Sequence, residues 1–324
     1  MAVVGCGPIG RLHAAGIAGS DRADLVAVCD LDAEAAASTA ASFDVRAAGS
    51  VTDLLATGSV DAVTVATPDD HHVDVALEAL EAGCHVFCEK PLAATARDAK
   101  RLVKTAADQR VQLGVDYNRR FGFGYRKLRE LLDAGRVGEI GHALVRVIDF
   151  TPPPEKVYGP FCILTRLLTH HIDLLRSFAG EIVSVHAEFR ASTSLELMSD
   201  VVLSLRFAGA AVGTIVSGFR DRQARTSEWF EVCGSDATVR VHDVTRRVEV
   251  FEREPDRVEV FRGNTFREGD AFHDTIERHV REFIASIADG RPPPVGGVDG
   301  LRGLEIVEAA VESHEKGRPV TVRV

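Results

Sequence analysis

Basic charge is what the chain has least of. Its 38 Lys and Arg face 48 Asp and Glu, a formal net charge of −10. It therefore lacks the clustered cationic excess on which binding to nucleic acid or to an anionic membrane rests. Basic pairs such as Arg119-Arg120 are too local to reverse this. No apolar run approaches the roughly 18 residues of a spanning helix, and the start MAVVGCG has no charged region of the kind that opens a signal peptide. These absences point to the cytoplasm, with neither a nucleic-acid nor a membrane partner. The cysteines, Cys6, Cys29, Cys84, Cys88, Cys162 and Cys233, include no CxxC pair and no zinc spacing. They read as reduced thiols packed as small hydrophobes, not as a disulfide framework. No metal is expected, because the adjacent pairs His71-His72 and His170-His171 are badly set to converge on one ion.

What is present is an ordinary globular composition, 45% hydrophobic and 27% charged over 324 residues. That length exceeds the size at which a single core stops growing, so two domains are expected. The first 115 residues alternate short apolar runs with Ala-rich helical stretches, the pattern of βαβ units and a doubly wound parallel sheet. AVVG, LVAVCD, AVTVAT, HVFCE and VQLGV read as its strands. From Arg119 onward the texture changes. A helix, YRKLRELLDAG, leads to EIGHALVRVIDF and a proline cluster, TPPPEKVYGP. After HHIDLLRSFAG come seven strand-like runs joined by short turns, which predict a large, mainly antiparallel open sheet in an α+β domain. FHDTIERHVREFIASIADG sets Phe272, Ile276, Val280, Phe283 and Ile287 on one helical face. The division expected is 1–118 and 119–324, with a C-terminal helix over 299–316 that can pack back on the first domain, and TVRV can add an edge strand.

GCGPIG puts Gly5, Gly7 and Gly10, with Pro8 and Ile9, directly after the first strand and at the opening of the first helix. Glycines there allow a tight turn and let backbone amides approach a pyrophosphate at the positive end of the helix dipole. Asp30 ends the second strand, where a carboxylate can accept from both hydroxyls of an adenosine ribose and would repel a 2′-phosphate. LDAEAA, which follows, carries no Arg or Lys, so NAD is favoured over NADP. Asp30 could instead be the N-cap of the next helix, as could Asp32. Thr67 and Pro68 follow the third of these strands, at the carboxyl ends where ligands bind. His72 reads either as part of that site or as a helix-start residue, and His71 as structural.

Taken in this order and spacing, GCGPIG, TPDDHH, AGCHVFCEKP and VDYNRRF resemble the Gfo/Idh/MocA family, that of glucose-fructose oxidoreductase and inositol dehydrogenase. The likeness reappears in HHIDLLRSFAG and in VDGLRGLEIVEAAVESHEKGRPV. It implies a Rossmann domain followed by a domain on a large open sheet, and hydride transfer between a sugar, polyol or related ring alcohol and the nicotinamide. It implies that Lys90 faces the substrate hydroxyl, that Glu89 and Asn118 lie near the nicotinamide ribose, and that the Lys90-Pro91 bond is cis. Glu89 and Lys90 should point to opposite sides of an extended segment, each with its own partner. The second catalytic group implied is His170, three residues before Asp173. An imidazole of pKa roughly 6.5 suits proton exchange with a hydroxyl near neutral pH. His171 is the lesser candidate, about 100° around the helix.

The chain also departs from the family pattern. Arg166 stands four residues before His170, where many family dehydrogenases have an aspartate. It could bind a substrate carboxylate or face solvent. PFC at 160–162 replaces glycines usual there, and the first strand starts so close to Met1 that a truncated start is a reasonable expectation. Two alternatives to a dehydrogenase stay open: a non-catalytic dinucleotide-binding sensor, and a glycosidase that retains NAD and acts by oxidation, elimination and re-reduction. A homodimer or homotetramer through the open face of the second sheet is the assembly the resemblance implies.

Overall fold

The computed structural model describes residues 1–56, 58–149, 159–192, 197–219, 227–252, 257–263 and 268–322. Most of the proline cluster, residues 151–158, lies outside them. Two compact units divide the chain, Met1–Asn118 with His273–Leu304, and Arg119–Phe272 with Glu305–Val324.

The first unit is a six-stranded sheet of β1 (Ala2–Val4), β2 (Ala27–Cys29), β3 (Arg46–Ala48), β4 (Ala62–Val65), β5 (His85–Cys88) and β6 (Leu113–Val115). All its pairings are parallel, in the order β3-β2-β1-β4-β5-β6. Helices α1 (Pro8–Ala18), α2 (Ala33–Phe43), α3 (Val51–Leu55), α4 (His72–Glu81) and α5 (Ala96–Gln109) connect the strands. A parallel sheet covered on both faces buries every residue of its central strands, and β1, β2 and β4 are buried throughout. The third strand, β3, is the one the sequence pattern does not reveal. It is an edge strand of three residues, two of them exposed. The order reverses between β1 and β4, which makes the carboxyl ends of these strands the topological switch point. Helix starts follow local chemistry: Ser50 and Thr95 each accept, at the N-cap, from the amide three residues on.

The second unit is built on a nine-stranded sheet. Its strands are β7 (Ile140–Asp149), β8 (Ile182–Ala191), β9 (Met198–Phe207), β10 (Val212–Phe219), β11 (Ser227–Gly234), β12 (Ala237–His242), β13 (Arg247–Glu252), β14 (Val258–Arg262) and β15 (Val320–Thr321). Their order is β14-β13-β12-β11-β7-β10-β9-β8-β15. The sheet is antiparallel except that β10 runs parallel to β7, and the edge strand predicted from TVRV is β15, paired with β8. Burial alternates along β9 and β12, so one face is core and the other is not. Helices α6 (Phe123–Asp133) and α7 (Thr169–Ala179) contribute Leu128, Leu131, Ile172 and Leu175 to that core.

Helix α8 (Glu268–Ala288) carries Val280, Phe283 and Ile284 into the first unit's core beside Val3, Ile17 and Phe87. The predicted stripe holds for Ile276, Val280 and Phe283, with Ile287 half-buried. Phe272 is a correction: it is 37% exposed. Helix α9 (Gly297–Lys316) places Ile306, Val307 and Ala310 in the second unit's core. All six cysteines are free thiols. Among the described residues no helix is long and apolar enough to cross a membrane.

Candidate active site

Strand β1 ends at Val4, and the chain turns at once into α1. Gly5 has a φ of +99°, and a Cβ there would lie 2.4 Å from the carbonyl oxygen of Ala66. At Gly10 a Cβ would lie 1.8 Å from the carbonyl oxygen of Gly5. Both glycines are forced by the fold. Gly7 is not, because a Cβ there would meet nothing within 4 Å. It is the N-cap of α1, makes no side-chain cap and is followed by Pro8 at the first turn. The helix therefore begins on an exposed glycine with no side chain over its N-terminal amides, the arrangement that receives a phosphate. This opening fits the pyrophosphate of a dinucleotide.

The capping alternative for Asp30 is settled by Asp32, which accepts from the amides of Glu34 and Ala35 at 2.9 and 3.2 Å. Asp30 accepts instead from the amide of Cys6 at 2.6 Å and that of Asp32 at 2.9 Å. A carboxylate has about four acceptor sites, so each oxygen keeps capacity for a ribose hydroxyl. Its neighbour Leu31 is uncharged and 89% exposed.

After β4, Thr67 is half-buried and Pro68 exposed. His71 is exposed, whereas His72 is fully buried. The His72 ring lies between two main-chain carbonyls, Nδ1 2.8 Å from Pro91 O and Nε2 3.0 Å from Thr67 O. It ties the turn after β4 to the turn after β5. Strand β5 is followed by Glu89 and Lys90, both half-buried, and the Lys90–Pro91 peptide is cis. Glu89 Oε2 accepts from the Lys90 amide at 3.0 Å. Glu89 Oε1 lies 3.3 Å from Nε2 of His13, on α1. Asn118 is buried and donates to Thr275 Oγ1 on α8 at 2.9 Å.

Three groups beneath Glu89 carry no local sequence signal: His13, Asp116 and His279. His13 Nε2 is 3.5 Å from Asp116 Oδ2, and His279 Nδ1 is 2.7 Å from Asp116 Oδ1. Burial opposes protonation of His13, but hydrogen bonds to Asp116 and Glu89 overcome it and raise its pKa to about 9. Burial likewise opposes ionisation of Asp116, and the two imidazoles overcome it, holding the carboxyl well below its usual range. Glu89 is shifted upward, by burial first and by the Asp116 charge second. Partners so far apart in sequence as His13, Glu89, Asp116 and His279 are brought together only by the sheet and α8.

In the second unit a π-helical turn, Ile163–Leu168, runs directly into α7. Such turns are rare and concentrate at functional sites. Arg166 lies on it, half-buried. On α7, His170 is 5% exposed and His171 fully buried. His171 Nδ1 is 3.2 Å from Leu167 O and its Nε2 is 3.1 Å from Glu228 Oε2. That ring has its partners inside the second unit. Glu228, missed in the sequence, also receives Arg119 Nε at 3.0 Å and the Tyr125 hydroxyl. Burial resists its ionisation, yet Arg119 and His171 hold it well below the ordinary carboxylate range. Asp173 accepts from Arg120 Nε at 2.7 Å, so the segment following Asn118 is tied to α7 and β11 by two ion pairs.

Two family models match the chain. The one described as an oxidoreductase family with an NAD-binding Rossmann fold covers residues 1–117. The one described as the C-terminal alpha/beta domain of an oxidoreductase family covers residues 129–322. The chain belongs to the Gfo/Idh/MocA oxidoreductase family. Among curated relatives of this Gfo/Idh/MocA protein, inositol 2-dehydrogenase 3 of Saccharopolyspora erythraea is 31% identical over 99% of this chain and 95% of that one. Inositol 2-dehydrogenase of Rhizobium meliloti is 28% identical over 99% and 98%. Among solved structures, the WlbA dehydrogenase of Bordetella pertussis in complex with NADH and UDP-GlcNAcA is 27% identical. It covers 100% of this chain and 97% of its own, with a TM-score of 0.84. The glycine loop and Asp30 thus belong to an NAD-binding Rossmann domain.

Proposed function

We propose that this family member is an NAD-dependent dehydrogenase that oxidises a CH–OH group of a sugar or polyol, with Lys90 and His170 as its catalytic residues. The observation that carries the cofactor half is the contrast among the three glycines: Gly5 and Gly10 are required by the fold, whereas Gly7 is open at the bare start of α1. Asp30 favours NAD over NADP, because a 2′-phosphate would meet its carboxylate beside the uncharged Leu31. Bound NAD would supply the hydride acceptor. The ammonium of Lys90, on the turn after β5, stabilises negative charge as it develops on the substrate oxygen, an effect that grows where water is excluded. His170 takes the hydroxyl proton, with Arg120–Asp173 and Glu228–His171 holding α7 in place on either side of it. Arg166 would serve a substrate that carries a carboxylate, since a guanidinium binds carboxylate bidentately.

Named dehydrogenases among the relatives support the substrate class: inositol 2-dehydrogenases, and a structure holding a UDP-sugar acid. No observation favours the sensor or the glycosidase. The open face of the nine-stranded sheet exposes Val202, Val216, Val258 and Val260, which supports a homodimer or homotetramer built on it. The free thiols support a reducing, cytoplasmic setting.

The test is NADH formation over a panel of polyols, aldoses and sugar acids, followed by Lys90→Ala and His170→Ala on the best substrate. Lys90→Ala should abolish turnover and leave NAD affinity within a few-fold. His170→Ala should cost about a hundred-fold or more, the usual worth of acid–base catalysis. Unchanged turnover in Lys90→Ala overturns the assignment.

A further inference from the structure

Glu89 stands at the surface of a buried quartet of ionisable groups drawn from four parts of the first unit. His13 comes from α1, Glu89 from the end of β5, Asp116 from the residue after β6 and His279 from α8. His13 and His279 are fully buried and Asp116 is 1% exposed, while the Glu89 side chain keeps 14% exposure. The aromatic ring of Phe87 packs against both imidazoles, its centroid 5.5 Å from His13 and 4.8 Å from His279. His13 Nε2 faces both carboxylates, 3.3 Å from Glu89 and 3.5 Å from Asp116. His279 Nδ1 meets Asp116 at 2.7 Å. The other oxygen of Glu89 accepts the amide of Lys90.

We infer that His13 is a positioning residue for Lys90: from beneath β5 it holds the Glu89 carboxylate in the orientation that grips the Lys90 amide. A second carboxylate, Asp116, lies in the same pocket. Without a cation between them the two acids would repel, and Glu89 would turn out of the quartet toward solvent. His279 is placed differently, its Nδ1 being committed to Asp116 at 2.7 Å, whereas His13 Nε2 lies within 3.5 Å of both carboxylates. Asp116 is thus shared by the two imidazoles, whereas Glu89 Oε1 meets His13. The groups that face His13 are Glu89 from β5 and Asp116 from the β6 end, with Lys90 adding its charge next to Glu89. The raised pKa of His13 agrees with an imidazolium that persists through neutral pH. This role rests on the reading of Lys90 as catalytic. It adds a group that touches neither substrate nor cofactor, and it acts through Glu89.

The experiment uses the full chain with isotopically labelled histidine, the His13 ring signal being identified by its loss in His13→Asn. In the wild type the ring should titrate near pH 9. In Glu89→Gln its midpoint should fall by about one unit or more, since one of its two charged partners is gone. His13→Asn should lower kcat about tenfold, the scale of a small misplacement of a reacting group, with NAD affinity changed less than about threefold. The double variant His13→Asn/Glu89→Gln should be no slower than the slower single variant, because both act on one contact. Should His13→Asn fold poorly, His13→Gln identifies the ring signal in its place, and Glu89→Gln carries the titration test. A His13 midpoint unmoved by Glu89→Gln, or rate losses that multiply, overturns the inference. If Lys90→Ala abolishes turnover while the His13 midpoint stays unmoved, only the inference fails. If Lys90→Ala keeps full turnover, the catalytic reading fails, and the positioning role falls with it whatever the titration gives.

Discussion

The Asp30 carboxylate accepts from the Cys6 amide at 2.6 Å, so the acid that ends β2 and the glycine loop that opens α1 form one hydrogen-bonded unit. On the proposed reading of Asp30 as the ribose-binding acid, replacing it disturbs both that recognition and the loop. Asp30→Ala should weaken NAD binding by about tenfold or more, as expected when a hydrogen bond to a charged group is lost, worth roughly 1.5–3 kcal/mol. Adding Leu31→Arg to Asp30→Ala removes the repelling charge and places a cation at an exposed position. The ratio of kcat/KM for NADP to that for NAD should rise about a hundred-fold or more in the double variant. A ratio that stays put would mean the ribose is read elsewhere.

Gly7 and Gly10 separate function from fold within one motif. A methyl at Gly7 meets nothing within 4 Å, so Gly7→Ala should melt within about two degrees of the wild type, a change below roughly 0.5 kcal/mol. Its NAD affinity should nevertheless fall at least about tenfold, because the methyl occupies the phosphate's approach. A methyl at Gly10 would sit on the Gly5 carbonyl, so Gly10→Ala should lower the melting temperature and hinder purification. Calorimetry and NAD titration on the two variants decide the matter. Equal melting with equal NAD affinity in Gly7→Ala would remove the pyrophosphate from this loop.

How far this was legible in the sequence depends on whether a residue's partner is near it in the chain. The apolar runs of β1, β2, β4, β5 and β6, and the glycine loop, are local patterns and were readable. Strand β3 was not, since Arg46–Ala48 is short and two of its three residues face solvent. The π-helical turn Ile163–Leu168 has the composition of an α-helix, so nothing in ILTRLL announced it. The cis Lys90–Pro91 bond followed from a family likeness, not from the spacing of residues. His13, in GRLHAAG, looked like any histidine on an Ala-rich helix, because its partners Glu89 and Asp116 lie 76 and 103 residues away. Glu228 was hidden for the same reason, being 109 residues from Arg119.

Stability should fall as pH rises through the alkaline range, and His13 is the cause. Its pKa is about 9 in the folded chain and roughly 6.5 in an unfolded one. The folded state therefore binds more protons between these values, and the stabilisation present below pH 6.5 is lost as pH passes 9. Two and a half pK units correspond to a loss on the order of 3 kcal/mol. Guanidinium midpoints measured from pH 6 to 9.5 should drop accordingly in the wild type. In His13→Asn the midpoint should be lower at pH 7 and nearly flat over the same range. A wild-type profile as flat as the variant's would show that His13 is neutral in the folded protein.

Glu228 should be the most damaging single charge to remove from the second unit. It is 4% exposed and is met by Arg119 Nε at 3.0 Å, by His171 Nε2 at 3.1 Å and by the hydroxyl of Tyr125. Glu228→Gln keeps the shape but leaves the Arg119 guanidinium, itself 11% exposed, without its counter-charge. Stranding a buried charge costs about 3–5 kcal/mol. Tyr125→Phe keeps the ion pair and loses one hydrogen bond to a charged acceptor, about 1.5–3 kcal/mol. Glu228→Gln should therefore melt lower than Tyr125→Phe. Because the Glu228 pKa is depressed in the folded state, its stabilisation is complete above the ordinary carboxylate pKa and lost only as pH falls through the depressed value. The gap between wild type and Glu228→Gln should thus be constant from pH 6 to 8 and shrink in acid. The reverse order of melting temperatures would mean that the Tyr125 hydroxyl on α6, not the Arg119 ion pair, is what holds Glu228 of β11 in place.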